Sequence, residues 1–375
     1  MSLQSAARWF EFPQASALPS PALIIYRERV EHNLRQMLAI AGGPARLRPH
    51  IKTHKMREML ELQLALGITR FKCATIAEAE LGAASGVPDL LLAYQPVGPA
   101  IARFVQLIEV FPATKFSVVC DDSGAIRELS TAVSQKNGSQ AIEVLLDIDI
   151  GQHRTGIAPG PEAIKVYQLI ASLPGLRAGG LHAYDGHISE SDLSVRTAAC
   201  REAFAPVWAL SKELEAAGLP VPRIVAGGTP TFPIHAKTPE LECSPGTTVF
   251  WDASYLNKFP ELPFLPAALV LARVISKPGP NRLCLDLGHK ALASEMPHPR
   301  VQFLNLEGAQ ALGHSEEHLL LETARAGESR LGDCVYGIPR HICPTVALYS
   351  SATVVENSKI IGNWKVAARD RRITI

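Results

Sequence analysis

Apolar positions along the chain change period repeatedly, and the changes mark out its elements. A short apolar run at Ala22–Tyr26 is followed by Val30, Leu34, Met37, Leu38 and Ala41, the spacing of one helix face. From there strand-like runs recur at 47–52, 71–76, 90–94, 116–121, 142–150, 179–184 and 223–228, with an eighth at 244–250. Helical stretches lie between them. The pattern at 57–66 stops at Gly67 and that at 78–84 stops before Gly86, as glycine often ends a helix. Alternating strands and helices predict parallel strands with crossover helices, and eight in succession favour closure into a barrel. The link at 229–242 is too short and proline-rich for a full helix, and Pro206 is expected to kink or interrupt the helix at 193–217.

Beyond residue 255 the pattern changes. Runs at 269–275, 282–287, 318–321, 334–338 and 352–356 read as strands separated by turn residues, with no long helix. The fold class is therefore α/β: a (β/α)8 TIM-type barrel over 27–255, with a second, smaller, mostly-β domain from 1–26 and 256–375. Ala22–Tyr26 precedes the barrel and could pair with either domain. A barrel alone takes about 250 residues, so a chain of 375 has room for both.

Composition narrows the function classes. Apolar residues are 47% and charged residues 19%, enough for a large core. A net charge of +1 without charge blocks removes the electrostatic case for nucleic acid or an anionic membrane as partner. The first residues lack an apolar run long enough for a signal peptide or membrane span. Seven scattered cysteines do not resemble a disulfide framework, and six are expected to be small core residues. A soluble cytoplasmic protein is the expectation.

The candidate chemistry lies at strand ends, where barrel active sites form. Lys52 closes the first strand in Arg48-Pro49-His50-Ile51-Lys52-Thr53-His54-Lys55. Apolar surroundings lower the cost of its neutral, nucleophilic form; a basic loop capping the barrel is the plainer alternative. Ala226-Gly227-Gly228-Thr229 and Ser244-Pro245-Gly246-Thr247-Thr248 offer backbone N–H groups and hydroxyls to an anion, or are simply tight turns. Arg154, after the fifth strand, suits a carboxylate or is a surface arginine. At the sixth, His182 and Tyr184 share a face, and His187 is a candidate base or part of a hydrogen-bonded cluster. In the β-domain, His341-Ile342-Cys343, read as extended, turns imidazole and thiolate to one side, a pair suited to Zn²⁺ or to chance.

The string Arg48–Lys55 followed by a helix resembles the D-threonine aldolase and D-serine dehydratase group of pyridoxal-phosphate enzymes, of alanine-racemase type (fold type III). The resemblance runs from about residue 20 to 370. It implies that Lys52 carries pyridoxal 5′-phosphate, that Gly228, Thr229, Gly246 and Thr247 hold the phosphate, and that Arg154 and Tyr184 contact the cofactor. It also implies a divalent metal, Zn²⁺ or Mn²⁺, on His341 and Cys343. Dehydratase-like members of the group tend to carry cysteine at the second position and aldolase-like members aspartate. The implied activity is thus dehydration of a D-β-hydroxy amino acid such as D-serine, D-threonine or 3-hydroxyaspartate, with Lys52 as base on the α-proton. Retro-aldol cleavage by His187 or His54 is the alternative. A racemase would leave the metal pair without a role, and a non-catalytic carrier would not need the second domain. A homodimer is expected by the same resemblance.

Overall fold

The computed structural model describes residues 8–135 and 141–375. Internal packing divides the chain into two compact units, each made of three segments: 1–37, 53–58 and 247–369 in one, 38–52, 59–246 and 370–375 in the other. Strand β1 is Ala22–Tyr26. Seven strands follow: β2 (Arg70–Cys73), β3 (Asp89–Leu92), β4 (Lys115–Cys120), β5 (Ile142–Ile148), β6 (Leu176–Ala183), β7 (Ile224–Ala226) and β8 (Leu241–Cys243). Eight more complete the set: β9 (Ala268–Gly279), β10 (Arg282–Leu285), β11 (Val301–Phe303), β12 (Gln310–His314), β13 (Leu319–Glu322), β14 (Cys334–Pro339), β15 (Ser351–Glu356) and β16 (Lys359–Lys365).

Strands β2 to β8 pair in parallel in sequence order. The segment before them joins the two edges. Leu47 bridges Cys243 on β8 and His50 bridges Lys72 on β2, both in parallel, and Arg48 N–H donates to Cys243 O while Lys72 N–H donates to Pro49 O. The first barrel strand expected at 47–52 is thereby reduced to two bridges. Pro49 cannot donate, and Ile51–Thr53 tightens into a 3-10 turn that lifts Lys52 off the ladder. The eighth strand also differs from expectation. It lies at Leu241–Cys243 instead of 244–250, because Pro245 and Gly246 break the run and Thr247–Val249 is a 3-10 turn. Only a four-residue helix, Phe232–His235, occupies the proline-rich link. The helix Leu193–Ala216 continues through Pro206 without interruption: one missing N–H is a small loss in 24 residues.

Register shows how the barrel interior is layered. Residues paired across parallel strands share a face, as do residues two apart on one strand. Leu91, Val119, Leu145 and Val225 form an apolar cluster inside. Two positions earlier on β5 and β3 stand Glu143 and Asp89, which meet cations: Glu143 binds Lys115, Arg177 and Arg223, and Asp89 binds Arg48. Arg48 is fully buried and also binds Glu242 at 2.6 Å, so one guanidinium ties the closing segment to β3 and β8. Two positions after Leu145 stands Asp147, paired with His182, which pairs with Val225. Lys72 pairs with Leu91 and so also points inward. Beyond the apolar layer, toward the C-terminal strand ends, the barrel thus becomes polar again.

The other unit is one sheet in the order β12-β13-β10-β9-β1-β15-β16, with β14 pairing both β9 and β11. The early strand β1 therefore belongs to this sheet, antiparallel to β9 and parallel to β15. Two apolar cores flank it, one around Val274, Leu283, Leu285 and Leu321, the other around Ile24, Leu269, Leu271 and Tyr336. Strands β11, β12 and β16 and the helices Ala253–Lys258 and Ile342–Leu348 did not register in the apolar pattern. Four cysteines are buried (73, 120, 200 and 243) and the other three half-buried, so fewer belong to the core than the six expected.

Candidate active site

In the barrel unit, the polar groups beyond the apolar layer gather around Tyr184. The Nζ atoms of Lys52 and Lys72 lie 5.6 and 5.7 Å from its ring centroid, and the Arg154 guanidinium carbon lies 5.0 Å away. Basic groups around one aromatic ring are drawn to its quadrupole and, where charged, repel one another. Lys52 N–H donates to His50 Nδ1 at 3.2 Å, which fixes the turn that carries it. His182 Nδ1 and Asp147 Oδ1 are 2.6 Å apart, and His182 Nε2 lies 3.4 Å from Lys72 Nζ. Burial holds His182 below its usual range although Asp147 opposes this. Burial works against the charge of Asp147 too, but His182 keeps its carboxyl below the usual value. Lys72 is brought down to about 7, by burial first and then by the charge of Lys52. Lys52, Tyr184 and Arg154 are thus brought together as the sequence reading expects. Lys72 and Asp147 were not singled out there.

The two glycine clusters are tied to each other, since Gly246 N–H donates to Thr229 Oγ1 at 3.1 Å. Between them, Ser244 Oγ is buried with no hydrogen-bond partner. A buried hydroxyl without a partner is costly, and a phosphate oxygen would satisfy it. The Gly228 N–H is already committed to Asp185 Oδ1 at 2.8 Å, which removes it as an amide donor to an anion. Asp185 is buried and also accepts from Thr231 Oγ1 at 2.8 Å and meets His235 Nε2 at 2.7 Å. Cys200 Sγ lies 3.5 Å from the same nitrogen. Asp185, Cys200 and His235 form a group of metal-capable side chains, with ligand atoms within 4.8 Å of one another. Burial and the Asp185 charge push the Cys200 thiol up to about 12, and the contacts of Asp185 with the Gly228 N–H and His235 brace the Gly228 turn. His187 is exposed, its Nε2 beside Gly151, and among the described residues no hydrogen bond orients its ring.

In the β-sheet unit, His341 is not in an extended segment. It is the N-cap of the helix Ile342–Leu348, and Cys343 lies in the first turn, because β14 ends at Pro339 and the Asp252 carboxylate accepts the Ile342 N–H. The two side chains still meet. Burial alone would lower His341, but the hydrogen bond and charge of Cys343, then Glu295 and Asp252, raise it to about 9. His341 Nδ1 lies 2.6 Å from Glu295 Oε1, an arrangement that fixes the ring. Cys343 Sγ lies 3.2 Å from Thr53 Oγ1 and 3.6 Å from Thr247 Oγ1. An oriented imidazole beside a thiol is a donor set that suits a divalent cation. Thr247, expected near the phosphate, here has its hydroxyl against Cys343.

A parallel barrel with a lysine on the turn after its first strand, paired with a β-sheet domain, is the architecture of alanine-racemase-type pyridoxal-phosphate enzymes. Residues 25–253 match the family "Alanine racemase, N-terminal domain", and the chain belongs to it. Residues 267–355 match a serine dehydratase domain. A D-threonine aldolase of Arthrobacter sp. is 31% identical, over 93% of this chain and 92% of that one. The D-threo-3-hydroxyaspartate dehydratase of Delftia sp. (strain HT23) is 26% identical, over 93% and 97%. Among solved structures, D-threonine aldolase from Filomicrobium marinum superposes with a TM-score of 0.88 at 28% identity, covering 94% of this chain and 96% of that one. No helix among the described residues is long and apolar enough to cross a membrane.

Proposed function

We propose that this pyridoxal-phosphate-dependent lyase removes water from a D-β-hydroxy amino acid, giving a keto acid and ammonia. The observation that carries the reading is the pairing of His341 with Cys343, the imidazole oriented by Glu295. Lys52 is the residue to carry the cofactor, with Arg154 and Tyr184 beside it and the hydroxyls of Ser244 and Thr229 offered to its phosphate. When bound, the cofactor supplies an electron sink for charge developing at the substrate's α-carbon. Lys52 would also take the α-proton on Nζ, which requires its amine to be uncharged at that moment. His341 and Cys343 would hold a divalent cation, zinc or manganese, which supplies charge that helps the β-hydroxyl depart.

Retro-aldol cleavage to glycine and an aldehyde is favoured by one observation. Identity and superposition are higher with the D-threonine aldolases, 31% and 0.88, than the 26% and 0.79 found with the hydroxyaspartate dehydratase. There the hydroxyl proton needs a base; His54, brought down to about 3 by burial, is too weak a base for it near neutral pH, which leaves His187 for that role. Product analysis separates the two. Protein loaded with pyridoxal phosphate and Zn²⁺ or Mn²⁺ is given D-threonine, D-serine and D-3-hydroxyaspartate. D-Threonine yields 2-oxobutanoate and ammonia if the lyase dehydrates; glycine and acetaldehyde overturn that reading in favour of the aldolase. Activity unchanged after chelation removes the metal from either mechanism.

A further inference from the structure

Glu295 stands in the β-sheet unit, on the segment between β10 and β11, half-exposed and with Oε1 2.6 Å from His341 Nδ1. An ion pair between two half-exposed side chains contributes little to stability by itself. The segment that carries Glu295 is nevertheless tied down on both sides of it. Two residues earlier, the Ala293 N–H donates to Thr345 Oγ1 at 3.3 Å, and that buried hydroxyl donates to His341 O at 2.9 Å. One residue later, Met296 O accepts from Arg300 Nε at 2.9 Å. Arg340 reaches the same segment, its Nη1 at 2.8 Å from Pro297 O and 3.4 Å from His298 O and Pro299 O. Its own N–H donates to Arg300 O at 2.7 Å. Arg340 precedes His341 and Thr345 follows it by one helical turn, so the imidazole and the carboxylate that meets it are anchored to one another from both directions. The next amide, Ile342 N–H, is held by Asp252 at 3.2 Å.

We infer that Glu295 is the positioning residue of a metal-binding imidazole: it keeps the His341 proton on Nδ1, leaves the lone pair on Nε2 for a divalent cation shared with Cys343, and so sets the affinity of the pair for that cation. The inference rests on His341 and Cys343 being metal ligands. A neutral imidazole has one lone pair, and the group that accepts its N–H decides which nitrogen offers it. Two protein ligands hold a cation less firmly than a closed set of four, so an imidazole that is already oriented counts for more here. The carboxylate acts in two separable ways. As an acceptor it fixes the tautomer and the ring; as a charge it makes the imidazole a stronger donor. Because Glu295 is exposed, replacing it opens no cavity in the core.

The test is the affinity of cofactor-loaded, metal-stripped protein for Zn²⁺ and for Mn²⁺, each alone, measured by competition with a chromophoric chelator. It is followed for the wild type, Glu295→Gln, Glu295→Ala and His341→Ala. Affinity is expected to fall by about tenfold to a hundredfold in Glu295→Ala. It falls by less in Glu295→Gln, whose amide oxygen still accepts from Nδ1–H but carries no charge. Melting temperature and the visible absorbance of the bound cofactor stay those of the wild type in both, which a general loosening of the structure would not allow. Equal affinity in the wild type and Glu295→Ala, with binding lost in His341→Ala, overturns the role of Glu295 and leaves the metal pair standing. No binding by the wild type, or binding untouched in His341→Ala, overturns the metal reading itself. A glutamine variant as weak as the alanine one overturns positioning, because charge alone would then account for the effect.

Discussion

Lys52 is legible in the sequence chiefly because Arg48–Lys55 resembles the cofactor-lysine segment of a known family; as a cation closing a strand-like run it reads equally as part of a basic loop. Lys72 and Asp147 are not legible, because each sits inside a run that scores as apolar, and only register shows that both face the interior beside Leu91 and Val225. The alternation Glu143, Leu145, Asp147 on β5 is the signal that could have revealed the second. Ser244 stands in a cluster that the sequence already offers to an anion, but what singles it out is a missing partner among the described residues, which no sequence displays. At this scale Lys52→Ala is expected to abolish the visible absorbance of bound cofactor while circular dichroism stays unchanged. Asp147→Asn removes the charge that holds His182 Nδ1, and a loosened imidazole is expected to lower kcat by about a hundredfold, read by steady-state kinetics.

Among elements, the parallel strands and their helices follow closely from the apolar period, and the exceptions have local causes. The first and eighth strands are shortened by Pro49, Pro245 and Gly246, and this shortening frees Lys52 from the ladder, whereas the Ser244 N–H still donates to Ala226 O at 3.2 Å. The His341–Cys343 segment read as extended but is helical, since a buried carboxylate, Asp252, caps a turn that no periodicity marks. The barrel's seam depends on Arg48. Replacing it with methionine leaves Asp89 and Glu242 facing a dry interior, and a loss of about 3 kcal/mol is expected from denaturant unfolding. Gly180 is a second constraint on the strand order. At φ +106°, with a Cβ position 2.0 Å from Arg223 O, Gly180→Ala should lower the melting temperature sharply by separating β6 from β7.

For the whole molecule, pH enters through groups buried uncharged. Burial first, and then the charge of Lys55, lower His54 to about 3 against an ordinary 6.5, although the Met56 amide works the other way. The folded chain therefore binds fewer protons at this site than the unfolded chain between these values. Stability from His54 is complete above pH 6.5 and is lost as pH falls toward 3. Asp252, raised to about 6 by burial despite its backbone donors, acts with the opposite sign between 3.8 and 6. Comparing wild type with His54→Gln isolates the first effect: the variant should be spared about 2 kcal/mol of the loss between pH 7.5 and pH 5, measured by urea unfolding.

The interleaving of the two units reaches beyond the folded state. The chain leaves the β-sheet unit after residue 37, returns to it for 53–58 and again at 247, and ends in the barrel unit. There Arg103 binds Ile375 O and Glu80 receives the Thr374 amide. No single stretch of the gene therefore encodes either unit. A contiguous piece cut from the chain would hold an incomplete barrel unit or an incomplete sheet unit.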